Sequence, residues 1–354
     1  MKYRTTLAIL LSIAIISFAW ISGCGGGGND DGGTGISVTN AEGGTYSLGQ
    51  AQVTFPPSSV DRDIIVSGST VSSSDMPSHL TPVSDRHRIS LSDPDAYNAD
   101  TATISITLSG STEGVSIYHS SDGTEWNKLE GTVNGNIISA GIPHFSDFVA
   151  ATESYTLKVN NNSFFSGTIC IYQDNPNIGV SDVSSIAWLT EYVNPNSSTT
   201  FSWTENYSFH NSETSDLTPG LIFLSMQTLG ANLSSTNKVT LTNSSGYCQF
   251  TNQTAGPSKG NLYIEQDNSV PSNQAAVGIG MYGRTTYAVM AQPDMTYTFT
   301  LNPKYWITHG DYTSGQVLDT NNISNKKEFV FPSGCYSMNA VLNNFDEWTI
   351  SCTN

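Results

Sequence analysis

The sequence predicts an all-β fold of two β-sandwich-like domains, and three observations carry that expectation. Short alternating apolar runs recur along the 354 residues, separated by clusters of Gly, Asn, Asp and Pro, which is the pattern of sandwiches and barrels. Beyond the first two dozen residues, no stretch places apolar side chains at i, i+3, i+4 and i+7 over three helical turns. Charged residues make up 12% of the chain, against about 25% in ordinary soluble domains. Ser, Thr, Asn and Gly take their place beside many aromatic and β-branched residues, a composition suited to an exported all-β protein.

Residues 1–23 open with Lys2 and Arg4, continue through an apolar core from Leu7 to about Ile21, and end in small residues ahead of Cys24. That core is about 15 residues long, short of the roughly 20 a membrane-spanning helix needs, and no positively charged flank follows it. The run Ile21-Ser22-Gly23-Cys24 resembles the lipobox of bacterial lipoproteins. The resemblance implies that the signal is removed and that Cys24 is acylated to become the mature N-terminus. At about 0.8 kcal/mol per buried methylene, two acyl chains anchor a protein stably in a bilayer. The expected location is therefore the cell envelope, with the membrane as a partner through acylated Cys24. In the lipoprotein class, Gly25 rather than Asp after the cysteine implies the outer membrane if the source has two membranes.

Residues 24–35 (CGGGGNDDGGTG) are the acylated cysteine and a flexible tether. Taking about 5–6 Å times the square root of the length, residues 25–35 reach roughly 18 Å. Removing Lys2 and Arg4 with the signal takes the formal charge from −17 to −19. A chain so acidic repels phosphate backbones, which excludes nucleic acid as a partner.

The first domain is expected over residues 36–152. Its strands are read at 52–55, 64–67, 103–108, 115–118 and 137–140, with turns at Ser121-Asp122-Gly123 and Asn134-Gly135. The second turn signals a type I′ hairpin, because Asn-Gly tolerates the positive φ that turn needs. In order, Gly43-Gly44-Thr45, Val53-Thr54-Phe55-Pro56-Pro57, Leu80-Thr81-Pro82-Val83, Ile104-Ser105-Ile106, Trp126-Asn127-Lys128-Leu129 and His144-Phe145-Ser146 resemble the motifs of a ZU5-type module. Pro57-Ser58-Ser59-Val60 departs from that pattern, where the family more often has Gly-Ala after the prolines.

The second domain is expected over residues 153–354, with strands at 155–159, 169–173, 187–189, 200–203, 261–265, 277–281 and 297–301 and a closing hairpin at 336–350. Asn161-Asn162-Ser163, Cys170-Ile171-Tyr172-Gln173, Ala187-Trp188-Leu189, Val277-Gly278-Ile279-Gly280-Met281, Tyr305-Trp306-Ile307, Gly315-Gln316-Val317-Leu318-Asp319 and Tyr336-Ser337-Met338 resemble the rhizosphere-expressed RhiA-type family. That resemblance implies no particular activity.

Cys170, Cys248, Cys335 and Cys352 lie in the second domain and are the disulfide candidates, with three possible connectivities; the alternative is four free thiols. Cys335 and Cys352 flank the last hairpin, yet period-two alternation places them on opposite faces. The expected pairing therefore joins the hairpin to Cys170 or Cys248, unless a bulge shifts the register.

His144-Phe145-Ser146 carries the sharpest chemical expectation. In some ZU5 proteins this tripeptide cleaves itself between Phe and Ser, and the match implies Ser146 as nucleophile on the Phe145 carbonyl and His144 as base. The step needs a hydroxyl within reach of a base and a strained carbonyl. The competing reading is a strand end with Phe145 and Phe148 packed inward. Gly278-x-Gly280-x-x-Gly283 matches a dinucleotide pattern, but the following Arg284–Met290 alternates as a strand and no helix receives a pyrophosphate, so the glycines are read as a bulge or close strand packing. Asp93, Asp95, Asn98 and Asp100 lack EF-hand spacing, the histidines are scattered, and no C-x-x-C, G-x-S-x-G or H-E-x-x-H occurs. No metal and no cofactor is expected. Trp188, Trp203, Trp306 and Tyr305 are candidates for stacking on sugars, against the alternative that they fill a core. The function expected is that of a lipid-anchored envelope protein that binds or scaffolds a glycan or protein partner without turnover. The alternative is one self-cleavage between Phe145 and Ser146.

Overall fold

A computed structural model describes residues 32–173, 182–301 and 304–353. The signal segment, Cys24 and the tether up to residue 31 lie outside the described residues. The all-β expectation holds: among the described residues strands follow one another, and the one helical element is the single 3-10 turn Pro94–Ala96. Among the described residues no helix is long and apolar enough to cross a membrane.

Three apolar cores organise the strands. The first lies between two sheets built from residues 32–152. One sheet sets Gly32–Val38, Ile64–Val71 and Arg86–Leu91 side by side next to the start of the strand Asp147–Asn161, which also pairs with Val115–Ser120 and Leu80–Pro82. The other orders Gly131–Asn134, Ile137–Gly141, Thr103–Thr107, Ala51–Phe55 and Gly44–Leu48. Alternation decides what enters the core: Ala51, Val53 and Phe55 are buried while Gln52 and Thr54 face solvent. Gly32–Gly35, expected as the end of the tether, begin an edge strand instead.

The strand Asp147–Asn161 runs 15 residues without Gly or Pro to interrupt it. Its first five residues are buried and pair with the first sandwich. Its last eight pair antiparallel with Ser197–Thr204 and, over 156–161, parallel with Ser337–Leu342. The sequence boundary at 152/153 thus falls inside one strand, where the pairing partners change. The second core, with Leu157, Val159, Ile169, Ile171, Trp203 and Ile307, lies between this sheet and the sheet of Leu189–Val193, Gly167–Tyr172, Tyr305–Gly310 and Lys327–Phe329. The third, around Phe209, Leu241, Ile264, Val277 and Phe299, separates the sheet holding Tyr207–Ser212, Ala276–Met281 and Arg284–Met290 from that holding Lys238–Ser244, Tyr247–Thr254, Asn261–Gln266 and Thr296–Thr300.

Local expectations are corrected at three places. The hairpin Gly131–Gly141 turns through Gly135-Asn136, with Asn134 paired to Ile137. Gly135 has φ +60° while Asn136 stays outside the positive-φ set, a type II′ pattern in place of I′. Ala187 and Trp188 connect strands, and the strand itself begins at Leu189.

The third correction is the disulfide, which joins Cys335 to Cys352 with Cα atoms 6.1 Å apart. The parity argument fails because Cys335 precedes the strand: its N–H donates to Pro332 across a turn with Gly334 at φ +78°, and pairing begins at Ser337. Alternation on the hairpin therefore does not govern Cys335. Cys170 and Cys248 are unbonded thiols. Burial pushes both up, which keeps them in the protonated, unreactive form.

Candidate functional site

His144, Phe145 and Ser146 enter the long strand from a bend at the edge of the first core. Phe145 stacks on Phe55 at 5.3 Å and meets Tyr97 edge-on at 4.8 Å, as the packing alternative requires. The Ser146 hydroxyl donates to the Asp147 carbonyl at 3.4 Å, and the Ser146 carbonyl accepts from Ile89 N–H at 3.0 Å. His144 is exposed and its ring lies against His119, with centroids 4.6 Å apart. No hydrogen bond joins His144 to Ser146 among the described residues, and neither these residues nor Pro143 has a positive φ. In this arrangement base and nucleophile are not brought together.

Asp147, next in the chain, holds the motif to the sheet. Arg86 donates to it at 3.1 and 2.5 Å, and Arg88 at 2.7 and 2.9 Å. Burial alone would raise this carboxyl. The guanidinium hydrogen bonds and charges outweigh burial and hold it below the usual carboxylate range. Beside it, a cleft bordered by Arg88, Asp122 and Ser146 opens to the surface.

The stacking expectation fails for three of its four residues. Trp188 and Trp203 are 1% exposed and Tyr305 is 2% exposed, packed on one another at 5.3–6.0 Å inside the second core. Their polar ends are used within the protein: the Trp188 indole donates to the Met281 carbonyl at 2.8 Å, and that of Trp203 to the Tyr305 hydroxyl at 3.4 Å. Trp306 is half-buried, with Tyr172 stacked on it and Lys326 Nζ 5.2 Å from its ring centre. Trp306 stands at the surface without the others, so no aromatic pair is formed.

The glycines act as expected from their strand context. Tyr282 and Gly283, with φ +56° and +69°, turn a tight hairpin between Met281 and Arg284. A side chain at Gly278 would collide with the Tyr287 carbonyl, and one at Gly280 with that of Arg284. Asp93 pairs with Arg62 at 2.5 Å, and no group of three or more His, Cys, Asp or Glu fit to hold a metal exists among the described residues.

Two features escaped the sequence reading. The first is an aromatic apex at the Asn161 end of the long strand. Phe164, Phe165, Tyr192 and Phe345 are 71, 69, 61 and 83% exposed there. The segments that carry them are linked at this end: the Asn162 N–H donates to Leu342, just before the turn that carries Phe345, and Gly167 pairs with Val193, the residue after Tyr192. Glu191 precedes Tyr192 in the chain, and Asp346 and Glu347 follow Phe345, Asp346 accepting from Asn325 and Glu347 from Asn343.

The second is a pair of carboxyls. Ser154 pairs with Thr204, so Glu153 and Glu205 stand opposite each other where that ladder ends. Tyr155 donates to Glu153 at 3.3 Å and Tyr305 to Glu205 at 3.4 Å. Burial raises the Glu205 carboxyl, Lys128 opposes that, and the Glu153 charge adds to the rise.

Comparison with known proteins places residues 152–353 in a family model described as RhiA. Protein RhiA of Rhizobium leguminosarum bv. viciae is 32% identical over 206 residues, covering 57% of this chain and 88% of that protein.

Proposed function

The chain belongs to the RhiA family, and from that premise we propose that it is a lipid-anchored cell-envelope protein that works by binding a partner, without turnover chemistry. The observation that carries this reading is the aromatic apex. Soluble monomers rarely leave several large aromatic side chains exposed on linked turns at one end of a strand, and such residues are commonly part of a contact surface. Three of the four are phenylalanines with no polar group to satisfy, which favours a protein surface over a glycan as occupant. The acidic rim of Glu191, Asp346 and Glu347 favours a basic one.

Position supports the same reading. Gly32 stands in line with Ser69, Arg88 and Asp147 across the first sheet, while the apex lies at the other end of the long strand. Fifteen residues at about 3.3 Å each carry the apex roughly 46 Å along that strand. The first sandwich is inferred to be a ZU5-like spacer on the motif order described above, and Gly25 supports an outer-membrane location in a two-membrane source.

The anchor is tested by feeding expressing cells a fatty acid carrying an alkyne. The wild type takes up label and partitions into detergent, whereas Cys24→Ser does neither; label retained by Cys24→Ser refutes acylation at that residue. The apex is tested by the loss of envelope binding in Phe164→Ser/Phe345→Ser.

A further inference from the structure

Where the three sandwiches meet, a cavity of about 400 Å³ opens to the surface, within the size range of small-ligand sites and at the kind of junction where they occur. Lys128 and Leu129 reach it from the first sandwich, Glu153 and Glu205 from the second, and Asn232 and Leu233 from the third.

Its polar groups are set in place by bonds on their far sides. The Asn232 amide oxygen accepts from Ser234 N–H at 3.0 Å, Ser234 Oγ at 2.7 Å and Ser235 Oγ at 3.0 Å. Those bonds fix which end of the amide is which and leave its NH2 group with two donors that have no partner among the described residues. Asn206 also lines the cavity, and its amide oxygen accepts from Thr204 Oγ1 at 2.5 Å. Glu205 is held through one oxygen by Tyr305. The cavity thus offers amide groups, an ammonium donor and carboxyl groups around one space, next to the apolar side chains of Leu129 and Leu233.

We propose that this cavity is a binding site for a neutral saccharide. A sugar hydroxyl donates and accepts at once, which is what interleaved amide donors and carboxyl acceptors require. A multiply charged cation meets Lys128 and the Asn232 NH2 group, and an anion meets the opposed carboxyls. An uncharged polyol suits both sets, and the C–H faces of a pyranose suit the leucines. The site stands apart from the apex, and an apex that binds nothing leaves it intact.

The experiment is a calorimetric and saturation-transfer titration of residues 25–354 with glucose, galactose, N-acetylglucosamine and N-acetylglucosamine dimer, with spermidine and citrate as charged probes. Binding of at least one sugar is expected, weakened about tenfold or more by Asn232→Leu, with spermidine and citrate inert. Glu205→Gln, close to isosteric, keeps the fold and weakens the same sugar, and Leu233→Trp abolishes binding by filling the cavity. No binding by any of the four sugars overturns the proposal. So does sugar binding unchanged in folded Asn232→Leu and Leu233→Trp, which places the site elsewhere, and so does spermidine or citrate binding in place of a sugar.

Discussion

Asp147→Asn separates the architecture around Ser146 from any chemistry there. The Asp147 and Arg86 side chains are 5% and 4% exposed and lie 2.5 Å apart, so the pair is screened little by water. Removing one partner of such a buried pair costs about 3–5 kcal/mol, because the other charge stays buried without compensation. Arg86 keeps a contact with Asp75, but that carboxylate is 66% exposed and offsets about 1 kcal/mol at most. Asn retains one acceptor oxygen, which places the expected loss near the lower end, at about 3 kcal/mol. Urea unfolding at pH 7, with hydrogen exchange resolving the strand Arg86–Leu91, measures it.

The pH dependence follows from the sign of the shift. The folded carboxyl lies below its unfolded value, so its contribution is present above that value, about 3.9, and disappears as pH falls through the folded one. Asp147→Asn therefore flattens the acid limb of the stability profile. A loss under about 1 kcal/mol, or an unchanged acid limb, refutes the account of the buried pair. Ser146→Ala serves as the companion: with His144 and Ser146 apart, it runs as one full-length band beside an equally intact wild type.

Further expectations follow from the other sites. Glu205 titrates above an ordinary glutamate, so the folded state is penalised as pH rises through the range between its unfolded and folded values. Glu205→Gln removes that penalty, and its urea midpoint rises relative to wild type as pH is raised above the ordinary glutamate range; parallel profiles contradict the reading. Trp203→Ala empties the second core and destabilises by about 3–5 kcal/mol, whereas Trp306→Ala stays well below that; the reverse order contradicts the core assignment. Thiol titration of unfolded, unreduced residues 25–354 finds two free thiols, Cys170 and Cys248. Cys335→Ser, by opening a loop of sequence separation 17, costs about 3 kcal/mol.

The strand pattern was readable wherever alternation or β-branching was strong, as at Ala51–Phe55 and Thr103–Thr107, because burial of one face dictates the period. What alternation cannot report is where a strand ends. Extending the period across the turn at Pro332 misplaces the parity of Cys335, and the boundary at 152/153, set by where the two runs of motifs meet, falls inside one continuous strand. The tryptophans suit a stacking surface or a core equally in sequence; only tertiary packing decides between them, and it buries Trp188 and Trp203. The apex did leave a local trace: Phe164-Phe165 sits in Asn161-Asn-Ser-Phe-Phe-Ser-Gly167 and Phe345 in Asn343-Asn-Phe-Asp346. Aromatic residues inside turn chemistry have no alternating neighbour to carry them inward. Glu153 and Glu205 left no trace, since their opposition exists only once Ser154 finds Thr204.

The binding role is tested most directly by sedimenting residues 25–354 with envelope membranes from cells that lack the protein, comparing wild type with Phe164→Ser/Phe345→Ser. The protein predicted here pellets with the membranes, is released by high salt because its rim is acidic, and loses most of that binding in the double variant. Equal pelleting of a folded double variant, or no pelleting of the wild type, would contradict it.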